Sequence, residues 1–401
     1  MGATLRLAFV EELRWLDYRY MMHAHSHVAM LGWIYLAIYA LLIHCFLPKA
    51  KQQSGFYGKL FWFTELTVIG MAVAFPLQGY AGVSIFFSGL HIVASYLFMW
   101  RFLKDLQPED RGNNSIRFVR AALWFMVLSS LAIWCMPILT VNDLAGSAVY
   151  YAAVQFYLHF QFNGWVILAI LALFFRLIEF HQLAVAEKNT NRFYYLMIFS
   201  CILTYVLAVT WSTPLAVLFY INSTGVALQL AALIYFVFIY QEVRTFLSQY
   251  FSGWVRYLFL LALISFLLKI LVQSAVIVPQ IGVVAYTIRN FVLGFIHLLL
   301  LGMATCFLLG FAANERIVLL KGGLAKVGLF FLLIGIVLSE LILFGQGVLL
   351  WSQMGFMPNY YLLIFGVSVL MPIGILLLIC SQYFFFSQRI KMKIKRCISV
   401  N

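Results

Sequence analysis

The stretch MMHAHSHVAMLGWIYLAIYALLIHCFLP, residues 21–48, decides how the chain is read. From 22 to 46 no Asp, Glu, Lys or Arg interrupts it, and about 20 such residues at 1.5 Å rise cross a ~30 Å hydrocarbon layer. Yet its first turns carry His23, His25 and His27, in a chain of 401 residues with eight histidines. Working outward, the same kind of run recurs to the carboxyl end: hydrophobic residues make up 65% of the sequence and charged residues 10%. That composition predicts an all-α integral membrane protein in contact with the lipid bilayer.

Spans are predicted at 22–46, 59–80, 83–103, 117–139, 151–178, 193–213, 217–241, 254–278, 287–312, 325–350 and 360–386, about eleven in all. Residues 5–20, LRLAFVEELRWLDYRY, are mixed in charge and lack the pattern of a cleavable signal, so the first helix is expected to be retained. The net charge of +13 comes from basic residues dispersed through short loops, which reads as topology and not as a nucleic-acid surface. Summed over alternate loops, 21 of the 26 Lys and Arg fall on one side. By the positive-inside rule that side is cytoplasmic. The expected organisation is an extracytoplasmic segment 1–21, a single transmembrane helical domain 22–386 and a basic cytoplasmic tail 387–401. The six cysteines are scattered without a CxxC or CxxCH spacing, so they read as packing residues.

With that orientation six histidines share one outer-leaflet layer: His23, His25 and His27 in the first span, His91 in the third (GLHIVASYLF), His159 in the fifth (YLHFQFNGW) and His297 in the ninth (GFIHLLLLGM). Ionisable groups at membrane depth are costly and point to function, and a neutral imidazole is a ligand for haem iron, copper and zinc. A second pattern runs through three of these spans. His27, His159 and His297 are each followed at the fifth position by glycine, in HVAMLGW, HFQFNGW and HLLLLGM. Fewer than one such pair is expected by chance from eight histidines and 26 glycines. The glycine either makes room for something flat, such as a porphyrin, or lets a neighbouring helix approach.

These motifs, on every fourth span, resemble the catalytic-subunit fold of the haem-copper oxidase and nitric oxide reductase superfamily. The resemblance implies a subunit I-like bundle with pseudo-threefold arcs, here lacking the family's first helix, so that the repeat falls on the family's second, sixth and tenth helices. It implies haem b held between His27 and His297, with His25 and His23 competing for the first position and Arg289 available to a haem propionate. FLP at 46–48 matches the turn that ends the family's second helix. The chain departs from the family at Phe295, where a high-spin haem ligand is expected, at Asn163, where a tyrosine is expected, and in the sixth span, which has no histidine pair. His159 matches a copper ligand; with His91 and His23 it forms the candidate set for a rearranged second site holding copper or non-haem iron. The implied relatives are divergent, NnrS-like members, in a bacterial cytoplasmic (inner) membrane. The implied work is electron transfer, or nitric oxide or oxygen redox chemistry, with an electron donor or a small gas (NO, O2) as partner. A non-enzymatic haem or copper binding, sensing or handling protein uses the same residues, so whether the chain is an enzyme stays open. A secondary transporter fits less well, since its repeats relate halves, not thirds.

Glu65, Lys269 and Glu340 are the remaining ionisable groups inside apolar spans. They read as a Lys269–Glu340 pair plus a hydrogen-bonded Glu65, or as a proton path. Gln155, Gln161 and Asn163 are placed to orient His159.

Overall fold

The computed structural model of the chain describes residues 1–107 and 112–398, the side chains of 386–398 excepted. Of the basic tail expected at 387–401, the backbone of the last helix is described as far as Ile398, while the side chains and residues 399–401 lie outside the described residues. Every regular element among the described residues is helical. Backbone polar groups have no water to bond inside a bilayer, and a helix satisfies them within itself.

Eleven helices among the described residues are long and apolar enough to cross a membrane: α1 (Tyr18–Phe46), α2 (Gly55–Gln78), α3 (Gly82–Asp105), α4 (Asn114–Val141), α5 (Ala148–Phe180), α6 (Glu187–Ala208), α7 (Ala216–Tyr250), α8 (Gly253–Ile277), α9 (Arg289–Asn314), α10 (Gly323–Trp351) and α11 (Tyr360–Phe385). Each falls on a span expected from hydropathy. The chain is therefore an integral membrane protein of eleven candidate spans. Ends differ where hydropathy is a poor ruler. The polar continuation QEVRTFLSQY carries α7 nine residues beyond 241, while α6 unwinds through a 3₁₀ turn at Tyr205–Ala208 ahead of Pro214.

The helices group into two compact units. The larger holds Arg19–Tyr250 and Leu263–Arg289. Within it α5 is the inner helix, 89% of its apolar window being buried against 28–50% for α1–α4, α6 and α7. Its sequence allows this because residues 160–173 carry no charge on any face. Phenylalanines tie it to its neighbours: Phe118 of α4 stacks on Phe175 of α5 at 4.9 Å, and Phe193 of α6 lies tilted against the same ring at 6.2 Å. At one end of α2 and α3, Asp105 accepts from Lys51 (3.0 Å), Arg101 (2.8 Å) and Tyr57 (3.1 Å). Glu179 of α5 caps the first turn of α4 through the Ser115 amide and hydroxyl.

The smaller unit holds Met1–Tyr18, Phe251–Ala262 and Asn290–Asn401. Its core contact is α10 against α11, brought close by glycines: a Cβ on Gly328 would stand 2.8 Å from the Gly374 carbonyl oxygen, so any side chain there would push the helices apart. The short helix Gly2–Leu7 leads to Phe9, which stacks on Tyr361 of α11 at 5.2 Å.

Candidate functional site

Three of the eleven helices change register, each at the same place in the repeat. The backbone passes from α to π geometry at Val28–Ile34 in α1, Phe160–Val166 in α5 and Leu298–Thr305 in α9. The residues immediately before are His27, His159 and His297. The π form occurs in well under 1% of residues and concentrates at functional sites. Finding it directly after three histidines that the sequence had already singled out links the motif to a backbone feature. The wider i→i+5 register also frees carbonyls, which need donors. Thr305 supplies one from its hydroxyl to Leu300 five residues back, at 2.8 Å.

The glycines of the repeat, Gly32, Gly164 and Gly302, lie inside these segments, and the first two serve helix packing. A Cβ on Gly32 would come 2.8 Å from Val68 Cγ1 of α2, and one on Gly164 would come 2.6 Å from Phe125 Cβ and Cγ of α4. Of the two readings the sequence left open, neighbouring side chains fill the space at these two positions.

His27 is fixed through Nδ1, which donates to the His23 carbonyl at 2.9 Å. A carbonyl only accepts, so this bond sets the tautomer and leaves the lone pair on Nε2. That atom accepts from the Tyr80 hydroxyl at 3.3 Å. The imidazole packs on Phe75 at 4.3 Å, and His23 lies edge-on to Tyr80 at 4.6 Å. His23 and His27 therefore share one aromatic corner, as i, i+4 spacing on a helix requires, while His25 points to the other side.

His91 and His159 are tied by the opposite nitrogen. His91, 2% exposed, directs Nε2 at the Leu31 carbonyl at 3.2 Å. Leu31 belongs to the π segment of α1, so this imidazole satisfies a carbonyl of the widened turn. His159 gives its Nε2 proton to the Cys201 carbonyl of α6 at 2.8 Å, and its Nδ1 faces the Asn163 amide at 3.5 Å. Asn163 thus orients His159 as expected, whereas Gln161 turns away to Ser129 at 3.0 Å. Lys269, fully buried in α8, lies within electrostatic reach of His159 and Cys201. For the second metal site expected at His23, His91 and His159, no group of three or more His, Cys, Asp or Glu among the described residues is arranged to hold a metal ion. Two of the three direct Nε2 at main-chain oxygens, His91 at Leu31 and His159 at Cys201.

His297 belongs to the smaller unit, where its Nδ1 stands 4.0 Å from Glu340 Oε1 of α10. The expected partner of Glu340 was Lys269, which belongs to the larger unit; within its own unit Glu340 stands beside the histidine. Arg289 opens α9 and reaches Met22 Sδ at 3.9 Å. Glu65 is half-buried on α2.

The donor chemistry of His27 and His297 fits an axial haem ligand. Each turns Nδ1 toward an oxygen, the arrangement that orients a ligating imidazole, and in His27 a metal at Nε2 would take the place of the Tyr80 hydroxyl. Sequence reasoning did not identify Tyr80, whose only local signal is the tight loop at Gly79, or the Glu340–His297 proximity, for which the signal was a lone carboxylate in a strongly apolar helix. No protein-family model matches the chain, and no curated protein matches it.

Proposed function

We propose that the chain is a b-type haem protein of the membrane, a divergent relative of the haem-copper oxidase subunit I fold, working in electron transfer. His27 and His297 are each proposed as an axial ligand. The observation that carries the reading is the coincidence of three π segments with the three repeated histidines. Bound haem would supply one-electron chemistry at its iron. The chain's own part is to hold the imidazole in one tautomer, as the His23 carbonyl does for His27, and to pack it against aromatic rings, as Phe75 and Tyr80 do. The hydrogen bonds of His91 and His159, with the Lys269 amine near the latter, favour a haem-only protein over one with a second metal. Nitric oxide or oxygen redox chemistry at an open iron position is the second reading. Haem or copper handling without turnover is the third. The proposed setting is a bacterial inner membrane, amino terminus outside and carboxyl terminus in the cytoplasm, following the Lys and Arg distribution.

The test is expression with ample haem, purification in detergent, and a reduced optical spectrum with iron and copper analysis. The expected result is b-type haem without copper, no response of the reduced spectrum to carbon monoxide, and a lost or reshaped spectrum in His297→Ala and in His27→Ala. A carbon monoxide response would support the gas-chemistry reading. Protein purified without iron would overturn all haem readings.

A further inference from the structure

Glu340 is a carboxylate that the fold has little reason to keep. It sits 8% exposed in α10, whose apolar window has a mean hydropathy of 2.7, and neither carboxylate oxygen has a hydrogen-bond partner. Two cationic or ionisable groups of its unit stand near it. Arg6 of the amino-terminal helix lies within electrostatic reach, and His297 Nδ1 lies 4.0 Å from Oε1. An ionisable side chain buried in an apolar span and left without a bonded donor is a functional residue by default.

We infer that Glu340 is the positioning residue of His297: its Oε1 accepts the Nδ1 proton, fixes the imidazole in the tautomer that presents Nε2, and holds the ring plane. The inference rests on the haem reading above. About 1 Å of adjustment in a flexible glutamate side chain brings the present separation into hydrogen-bond range. Histidine ligands donate their second ring N–H to a carboxylate, a carbonyl or water, and losing that partner typically weakens metal binding by about 10–100-fold. The His23 carbonyl does for His27 what Glu340 does for His297; a main-chain oxygen cannot be mutated away, whereas this carboxylate can.

The experiment titrates haem into haem-depleted full-length protein in detergent, comparing wild type, Glu340→Leu and Glu340→Gln, with ferric low-spin electron paramagnetic resonance spectra of the loaded proteins. Leu removes the acceptor, and haem affinity is expected to fall by about 10–100-fold with shifted g values. Gln keeps an oxygen acceptor and is expected to restore affinity to within about threefold of wild type. A Leu variant that binds haem as tightly as wild type with the same g values would overturn the assignment while leaving the haem reading intact. So would Leu and Gln weakening equally together with equal losses of thermal stability, the signature of a packing role. Wild-type protein that takes up no haem refutes the underlying reading instead.

Discussion

The glycine at the fifth position of the repeat gives the sharpest test of what the motif is for, through Gly164→Ala. A Cβ placed there stands 2.6 Å from Phe125 Cβ and Cγ, whereas ordinary contact begins near 3.4 Å. Cβ lies next to the main chain, so a rotamer change of Phe125 cannot clear it and α4 itself must move by most of an ångström. Phe125 is further held by its stack on Phe160 at 5.5 Å. Overpacking of this kind costs about 1–3 kcal/mol. The helical preference of Ala over Gly returns up to about 1 kcal/mol. The net expectation is a destabilisation of about 1–2 kcal/mol, a roughly 5–30-fold shift in the unfolding equilibrium. Gly89→Ala is the control: nothing stands within 4 Å of its Cβ on α3, so the preference of Ala acts alone and the variant should gain about 0.5–1 kcal/mol. The assay is unfolding in detergent followed by alkylation of the buried Cys201 and Cys306 thiols, on protein prepared with and without added haem. Gly164→Ala should lose the same stability in both preparations. Wild-type stability without haem, combined with failure to take haem up, would refute the packing argument and restore the porphyrin reading of this glycine.

Other positions follow from single hydrogen bonds. His91→Leu leaves the Leu31 carbonyl without its imidazole donor and should cost about 1–3 kcal/mol by the same alkylation assay, while His91→Gln, which keeps a donor, should recover part of that loss. His159→Ala should lower stability by about 1–3 kcal/mol through the Cys201 carbonyl yet leave haem content unchanged, and loss of haem on this substitution would show that His159 is a ligand after all. Asp105→Ala strands Lys51, Arg101 and Tyr57 at once; since Lys51 is 41% exposed, the cost should fall to about 1–3 kcal/mol, and a variant as stable as wild type would count against the network. For topology, single cysteines introduced at Lys321 and at Gly355 in a cysteine-free background should label with an impermeant maleimide from opposite sides of the membrane, Gly355 from outside.

Much of the fold was legible because hydropathy and length are local quantities. All eleven spans follow from runs such as 22–46, and the errors fall where a helix outlasts its apolar part, as α7 does past 241, or ends early, as α6 does at Ala208. The π segments lie beyond any reading of propensity, since HVAMLGW and HLLLLGM contain ordinary helix formers; which carbonyl a backbone amide takes is set by tertiary packing. Even so, each π segment starts at the residue after the repeated histidine and contains the repeated glycine, so the motif coincides with them although it did not predict them. The histidines stood out in the sequence as residues, but their bonds did not. That His159 finds Cys201, that His27 meets Tyr80 across 53 positions, and that Glu340 approaches His297 depend on helix rotations that hydropathy does not fix.

Those bonds divide three copies of one motif by a detail no spacing carries, namely which ring nitrogen meets an oxygen. Nδ1 lies on the ring edge near the backbone, so a histidine whose Nδ1 is satisfied locally, as His27 is by the carbonyl one turn back, projects Nε2 away from its own helix, where a planar cofactor could meet it. His159 reverses this. It extends Nε2 across to α6 as an interhelical strut and turns Nδ1 to Asn163 on its own helix. Its segment has the histidine, the glycine and the π turn, but its lone pair lies on Nδ1 and is turned toward the Asn163 amide on its own helix. The repeat therefore accounts for where the three histidines stand, and the second partner of each ring separates them. On the haem reading proposed above, the first and third copies would hold the cofactor, while the middle copy serves as a strut between α5 and α6.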